Sequence, residues 1–259
     1  MDWDKAKKYL IISLVVLNIA LILSIVSHNN VVSIDNIYFS KKSLADLQTV
    51  LDRKNIKITT EIPKDIYNLG TINVEYDTIN DSNYPILFDA YENQITVNVL
   101  KKLVLKEPGL VIDNSADAEN FAFRFISKYL NGLEYSLRNF TSEDGVITLY
   151  FNPVYDGYIF EESFLRFEFS QDGMKIVMIA MKPLDVSATK REAITSVEAI
   201  LKAFPSMDRN TIISKIDFIY YFGTNFAEDL YKVKNARAFP CWRLMTSENK
   251  FYYVPALEN

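Results

Sequence analysis

The sequence predicts an α+β protein in which an N-terminal transmembrane helix precedes two extracytoplasmic lobes of mainly antiparallel sheet packed with helices. Three observations predict this. Residues 9–26 run without a charge. Beyond them, stretches such as GTINVEYD (70–77) and NQITVNVLKKLVLKE (93–107) alternate apolar and polar positions, as half-buried strands do. Between the strand-like stretches lie segments whose apolar residues recur at helical spacing, the strongest being SADAENFAFRFISKYLNG (115–132).

The chain opens with a tail, residues 1–8, that holds Lys5, Lys7 and Lys8. The uncharged run follows; at about 1.5 Å per residue it reaches about 27 Å, close to the hydrocarbon thickness of a bilayer. A cleaved signal peptide has a shorter apolar core, roughly 7–15 residues, and a small-x-small cleavage site. The end of this run, SIVSHNN (24–30), fits that site poorly. Residues 9–27 therefore read as a retained signal anchor. After the three lysines of the tail, no Lys or Arg occurs until Lys41, so the positive-inside rule puts the tail in the cytoplasm and the rest outside. This predicts a single-pass protein of the cell membrane.

Such a short tail holds no folded activity, and anything passed inward goes through the helix. Ser13, Leu17, Ala20, Ser24 and Ser27 fall on one helical stripe, and Ala20 with Ser24 forms a small-xxx-small pair that lets another helix approach. Asn18 lies about 140° around from Ser13, near mid-membrane, where an amide without a partner is costly. Ser13, Leu17, Asn18, Ala20 and Ser24 are the candidate contacts with partner helices. A lone anchor also tolerates Asn and Ser, because one interhelical hydrogen bond is worth only about 1 kcal/mol.

Residues 28–108 are expected to form the membrane-proximal α+β lobe. NNVVSIDNIYFS (29–40) reads as extended. SKKSLADLQTVLDRKNI (40–56) reads as a helix capped at Ser43, with Leu44, Leu47 and Leu51 on one face. IKITTEIP (56–63) is a strand stopped by Pro63, and the two alternating stretches complete the lobe. Pro108 and Gly109, followed by helix-capping residues, mark the boundary.

The second lobe, 109–259, starts with the strong helix, whose apolar face is Ala118, Phe121, Ala122, Phe125, Ile126 and Tyr129, with Gly132 just past its end. Four strands then read as a meander: LEYSLRNFT (133–141), GVITLYFNPVY (145–155), SFLRFEFS (163–170) and GMKIVMIAMKPL (173–184). SATKREAITSVEAILKAFP (187–205) reads as a helix with Ala193, Ile194, Val197, Ile200 and Leu201 apolar and Pro205 as terminator. NTIISKIDFIYYFG, LYKVKNARAFPCWRLMTS and KFYYVPALEN supply the last strands.

Composition limits the function classes. The chain is 49% hydrophobic and 24% charged, as folded proteins are. Its formal net charge is −5; the first 28 residues carry a net +1, which leaves about −6 outside the membrane. An acidic exterior speaks against nucleic acid. His28 is the sole histidine and Cys241 the sole cysteine, so histidine triads and HExxH sites are absent from the folded part, and one Cys with one distant His cannot build a zinc site. Cys241, in an apolar strand, reads as a small hydrophobe. Glu161, Glu162 and Glu168 are acidic, but nothing marks a pair of them as facing carboxylates of a glycosidase. Phosphate-cradling and cofactor motifs are absent from the sequence. The expectation is a protein without cofactor or catalysis.

Three stretches resemble the YycI family. They are the opening MDWDKAKKYLIISLVVLNIALIL (1–23), SLADLQTVLDRKNIKITTEIP (43–63) and the tail ARAFPCWRLMTSENKFYYVPALEN (236–259). In the tail, a proline-x-Trp-Arg strand is answered by Tyr-Tyr-Val. That hairpin also resembles the end of PepSY-type domains, and the region between about 60 and 110 is less family-like. The resemblance implies a non-enzymatic, membrane-anchored regulator of a YycG (WalK) sensor histidine kinase. Such a protein acts with a YycH-like sister through transmembrane helices and thereby adjusts cell-wall metabolism. Two alternatives stand beside it: an extracytoplasmic ligand-binding or protease-inhibitory module of PepSY type, and a cell-wall hydrolase.

Overall fold

The computed structural model describes residues 41–97, 102–130, 134–187, 189–222 and 235–257 of the chain. The anchor stretch 9–27, and with it Ser13, Leu17, Asn18, Ala20 and Ser24, lies outside the described residues. Among the described residues no helix is long and apolar enough to cross a membrane. The chain divides into two compact units, residues 1–52 and 53–259.

The first unit is described through helix α1, Lys41–Asp52. The expected leucine face is present, with Leu47 and Leu51 buried. The helix already includes Lys41, so Ser43 lies within it and not at its cap. Side-chain bonds one turn apart brace its exposed side: Gln48 Nε2 donates to Asp52 Oδ1 at 2.7 Å and Thr49 Oγ1 to the Ala45 carbonyl at 2.9 Å.

The second unit is mostly sheet with few helices. Its elements are β1 (Lys57–Ile58), β2 (Asn68–Leu69), β3 (Ile72–Tyr76), α2 (Pro85–Tyr91), β4 (Ile95–Val97), β5 (Lys102–Pro108), α3 (Ser115–Tyr129), β6 (Glu134–Glu143), β7 (Val146–Tyr155), β8 (Tyr158–Ile159), β9 (Phe164–Ser170), β10 (Gly173–Ile179), β11 (Met181–Val186), β12 (Arg191–Glu192), α4 (Ser196–Ala203), a 3₁₀ turn (Phe204–Ser206), β13 (Ile212–Tyr221), β14 (Asn235–Thr246) and β15 (Phe251–Pro255). A seven-stranded sheet runs β4-β5-β10-β9-β7-β6, with β8 on β7. A six-stranded sheet runs β1-β13-β14-β3-β11, with β15 on β14. Its β1–β13 pair is parallel and its other pairs are antiparallel. β2 and β12 make a separate small pair.

The meander β6–β7–β9–β10 forms as the alternation predicts. Its first turn is Asp144-Gly145, both at positive φ, which matches the twist of a two-residue hairpin. α3 also forms as expected. Asn114 caps it by accepting from the Asp117 N–H, and Ala118, Ala122, Phe125 and Ile126 are buried on one face. That face packs on the seven-stranded sheet, where the Phe125 and Phe167 rings meet edge to face with centroids 5.5 Å apart.

Four readings change. The division expected at 108/109 does not coincide with a sheet boundary: β5 pairs with β10, and β3 pairs with β11 and β14, so each sheet draws on both sides of it. GMKIVMIAMKPL is two strands, because the chain leaves the seven-stranded sheet at Ala180 and enters the six-stranded one at Met181. NQITVNVLKKLVLKE is likewise β4 and β5, paired antiparallel with Ile95 opposite Leu105. The helix expected over 187–205 is only α4, because a capping box between Thr195 and Glu198 starts it at Ser196; Ala193 and Ile194 are buried ahead of it and Leu201 is exposed. α2, begun by Pro85, was not expected from the pattern.

Candidate functional site

Three strands of the six-stranded sheet carry a row of polar side chains. Arg243 on β14 pairs across the ladder with Asp217 on β13 and with Tyr253 on β15. Residues directly opposite in an antiparallel pair share a face, so the three project together. The seven-stranded sheet answers with Asn152 on β7 and Arg138 on β6. Arg138 is the extra residue of a β-bulge between Leu137 and Asn139, and a bulge re-aims its side chain. Glu161 comes from the short turn after β8.

These groups close a buried network between the sheets. Arg243 Nη1 donates to Glu161 Oε2 at 2.6 Å and to Asn152 Oδ1 at 3.2 Å, and Nη2 donates to Asp217 Oδ2 at 2.7 Å. Glu161 Oε1 is ion-paired with Arg138 and accepts from the Tyr253 hydroxyl at 2.6 Å. Arg138 Nη2 also donates to that hydroxyl at 3.2 Å, and its guanidinium lies over the rings of Tyr150 and Phe251. Lys215 Nζ, 3.4 Å from Asp217 Oδ2, donates to the Leu137 carbonyl at 2.7 Å.

Burial and pairing compete in the network. Burial works against the charge of Arg243, but Glu161 and Asp217 outweigh it and hold the guanidinium above its ordinary pKa. Lys215 moves the other way: its burial lowers the ammonium pKa despite Asp217. Tyr253 is raised by burial and then by the neighbouring Glu161 carboxylate, so its hydroxyl stays a donor. Glu162, beside Glu161, is pushed up to about 8 by burial.

A cavity of about 330 Å³ adjoins the network, lined by Arg191, Tyr221, Phe222, Phe239, Cys241 and Tyr253 among others. Tyr221 and Tyr253 stack along its wall, centroids 4.5 Å apart. Cys241 is buried there and burial pushes its thiol up to about 12. Glu161 is engaged by two guanidinium groups, and Glu168 lies on β9 with Arg166 and Lys175 at 2.9 and 2.8 Å. Among the described residues no group of three or more His, Cys, Asp or Glu side chains is arranged to hold a metal ion.

The transmembrane contact residues named from the sequence, Ser13, Leu17, Asn18, Ala20 and Ser24, lie outside the described residues. The network was in turn missed by the sequence reading. Its one local signal is a charge inside each of two apolar strands, Asp217 in SKIDFIYY and Arg243 in FPCWRLM.

A family profile described as "YycI protein" matches residues 34–257. No curated protein matches the chain. Among solved structures, the chain is similar to the Bacillus megaterium YpeB C-terminal domain, at 11% identity and a TM-score of 0.39, over 84% of this chain and 92% of that one.

Proposed function

The chain belongs to the YycI family, and from that membership we propose that it is a non-enzymatic, single-pass regulator of a YycG/WalK-like sensor histidine kinase that controls cell-wall metabolism. The observation that carries the reading is the family match over residues 34–257, set directly behind an uncharged run long enough to span a bilayer. In this reading residues 1–8 are cytoplasmic, residues 9–27 stay in the membrane, and the remainder is extracytoplasmic. The transmembrane helix touches the kinase and a YycH-like sister protein through Ser13, Leu17, Asn18, Ala20 and Ser24. A regulator of this kind works only if its helix binds two kinase conformations with different free energies; equal affinity shifts nothing. Co-purification of the full chain with the kinase from detergent-solubilised membranes tests the reading. Recovery of the kinase at the level of an unrelated single-pass control would sink it.

A second reading, an extracytoplasmic ligand-binding or protease-inhibitory module, is favoured by the cavity walled by Tyr221, Phe222, Phe239 and Tyr253. Its size falls at the lower end of ligand pockets, about 300–1,000 Å³. Finding that the full chain binds no small aromatic or peptide ligand and inhibits no extracytoplasmic protease, with Phe239→Ser indistinguishable from the unaltered protein in both assays, would set this reading aside.

A further inference from the structure

The turn Phe160–Ser163 fastens the two sheets to each other. Phe160 bridges Tyr220, and the Glu161 N–H donates to the Tyr220 carbonyl at 2.9 Å. Asn152 Nδ2 donates to the carbonyls of Phe160 and Ser163 at 3.3 and 2.8 Å. Ser163 Oγ accepts from the Met181 N–H at 3.1 Å, where the chain changes sheets. Glu162 makes the remaining tie: its Oε1 accepts from the N–H of Phe222, just past the end of β13, at 3.1 Å.

That carboxyl is poorly placed for a charge. Glu162 is only half-buried as a residue, yet its Oε2 is sealed from solvent and has no hydrogen-bond partner. The cations of the neighbourhood are engaged elsewhere, Arg138 with Glu161 and Arg243 with Glu161 and Asp217. The titratable groups around it are Glu161 on the same turn, Arg138 from β6, Tyr221 from β13 and Cys241 from β14. Burial raises its carboxyl to about 8; the Phe222 N–H and the N–H of Glu162 itself oppose that, Glu161 adds to it and Arg138 opposes it. These N–H groups do not replace the water that an ionised carboxylate loses when its Oε2 is sealed without any hydrogen-bond partner.

We propose that Glu162 is a proton-operated latch between the two sheets: protonated, it holds the 160–163 turn to the end of β13, and ionised, it lets that turn go. The closed joint binds the proton that the open joint releases. Stability from this source is therefore full below the ordinary carboxylate range and is lost as pH rises through about 8.

The test is hydrogen exchange of the full chain in detergent or nanodiscs, followed at peptides covering 158–165 and 216–222, with rates corrected for intrinsic base catalysis. The opening constant of both peptides is expected to rise roughly tenfold or more between about pH 6 and about pH 8. Peptides from α3 are expected to stay flat. Glu162→Gln, which keeps the shape and an uncharged acceptor, should abolish the rise. A flat profile in the unaltered protein overturns the latch whether or not the variant folds. An unchanged rise in the folded Gln variant overturns it as well.

Discussion

Arg243 and Glu161, 82 residues apart in sequence, meet between the two sheets at 2.6 Å, their side chains 2% and 5% exposed. The pair is the centre of the buried network, and its neighbours engage most of the remaining polar atoms, Asn152 and Asp217 on Arg243 and Arg138 and Tyr253 on Glu161, while Nε of Arg243 and of Arg138 has no hydrogen-bond partner. A buried ion pair adds little over a well-packed apolar pair, but breaking one side strands the other charge.

Arg243→Met should therefore cost about 3–5 kcal/mol of stability, and Glu161→Leu a similar amount. The double variant should cost clearly less than the two together, because no charge of the pair is left uncompensated by the other. Urea unfolding of the four proteins, followed through the buried Trp242, supplies the cycle. Additive losses would show that the two side chains do not act as a pair.

Gly173 stands at φ 116°, where β10 begins against the end of β5, and a Cβ there would come within 2.4 Å of the Glu107 carbonyl oxygen. Both backbone strain and this clash act against any side chain. Gly173→Ala should destabilise by about 1–3 kcal/mol, whereas Gly145→Ala should suffer only the conformational term, since open space surrounds its Cβ position. Equal melting temperatures for the two variants would contradict the close approach of β5 and β10.

Within the proposed membrane helix, Asn18→Leu should weaken association with the partner helices more than Val15→Leu does, by an amount on the order of 1 kcal/mol. A membrane two-hybrid assay against the kinase and the YycH-like protein reads this directly. Equal association of both variants would leave Asn18 a tolerated residue of a lone anchor.

What the sequence made legible was local. α3 shows in the spacing of Ala118, Ala122, Phe125 and Ile126, and the β14–β15 hairpin in the apolar runs around Trp242 and Tyr253. Alternation marks a strand but does not name its neighbour, so the pairing of β5 with β10 and of β3 with β11 is hidden in it, and Pro108-Gly109 shows only as a local break between elements. The switch at Ala180 was hidden for the same reason: a strand buried on both sides of a crossover reads as one apolar run. α2 is a single short helix with no extended apolar period to betray it. The site suffered most, since Glu161 reaches Arg243 only through the sheet topology, and the bulge that aims Arg138 inward leaves no trace in composition.

The regulatory reading depends on the helix as the link between an extracytoplasmic fold and a kinase. The measurement that tests this most directly is kinase output in cells whose only copy of the protein has residues 9–27 replaced by an unrelated transmembrane helix of equal length, with membrane level of the chimera checked by immunoblot. The account predicts that the chimera reaches the membrane in normal amount and that output changes to the level of a strain lacking the protein. Output equal to that of the unaltered protein, with the chimera correctly inserted, would contradict it.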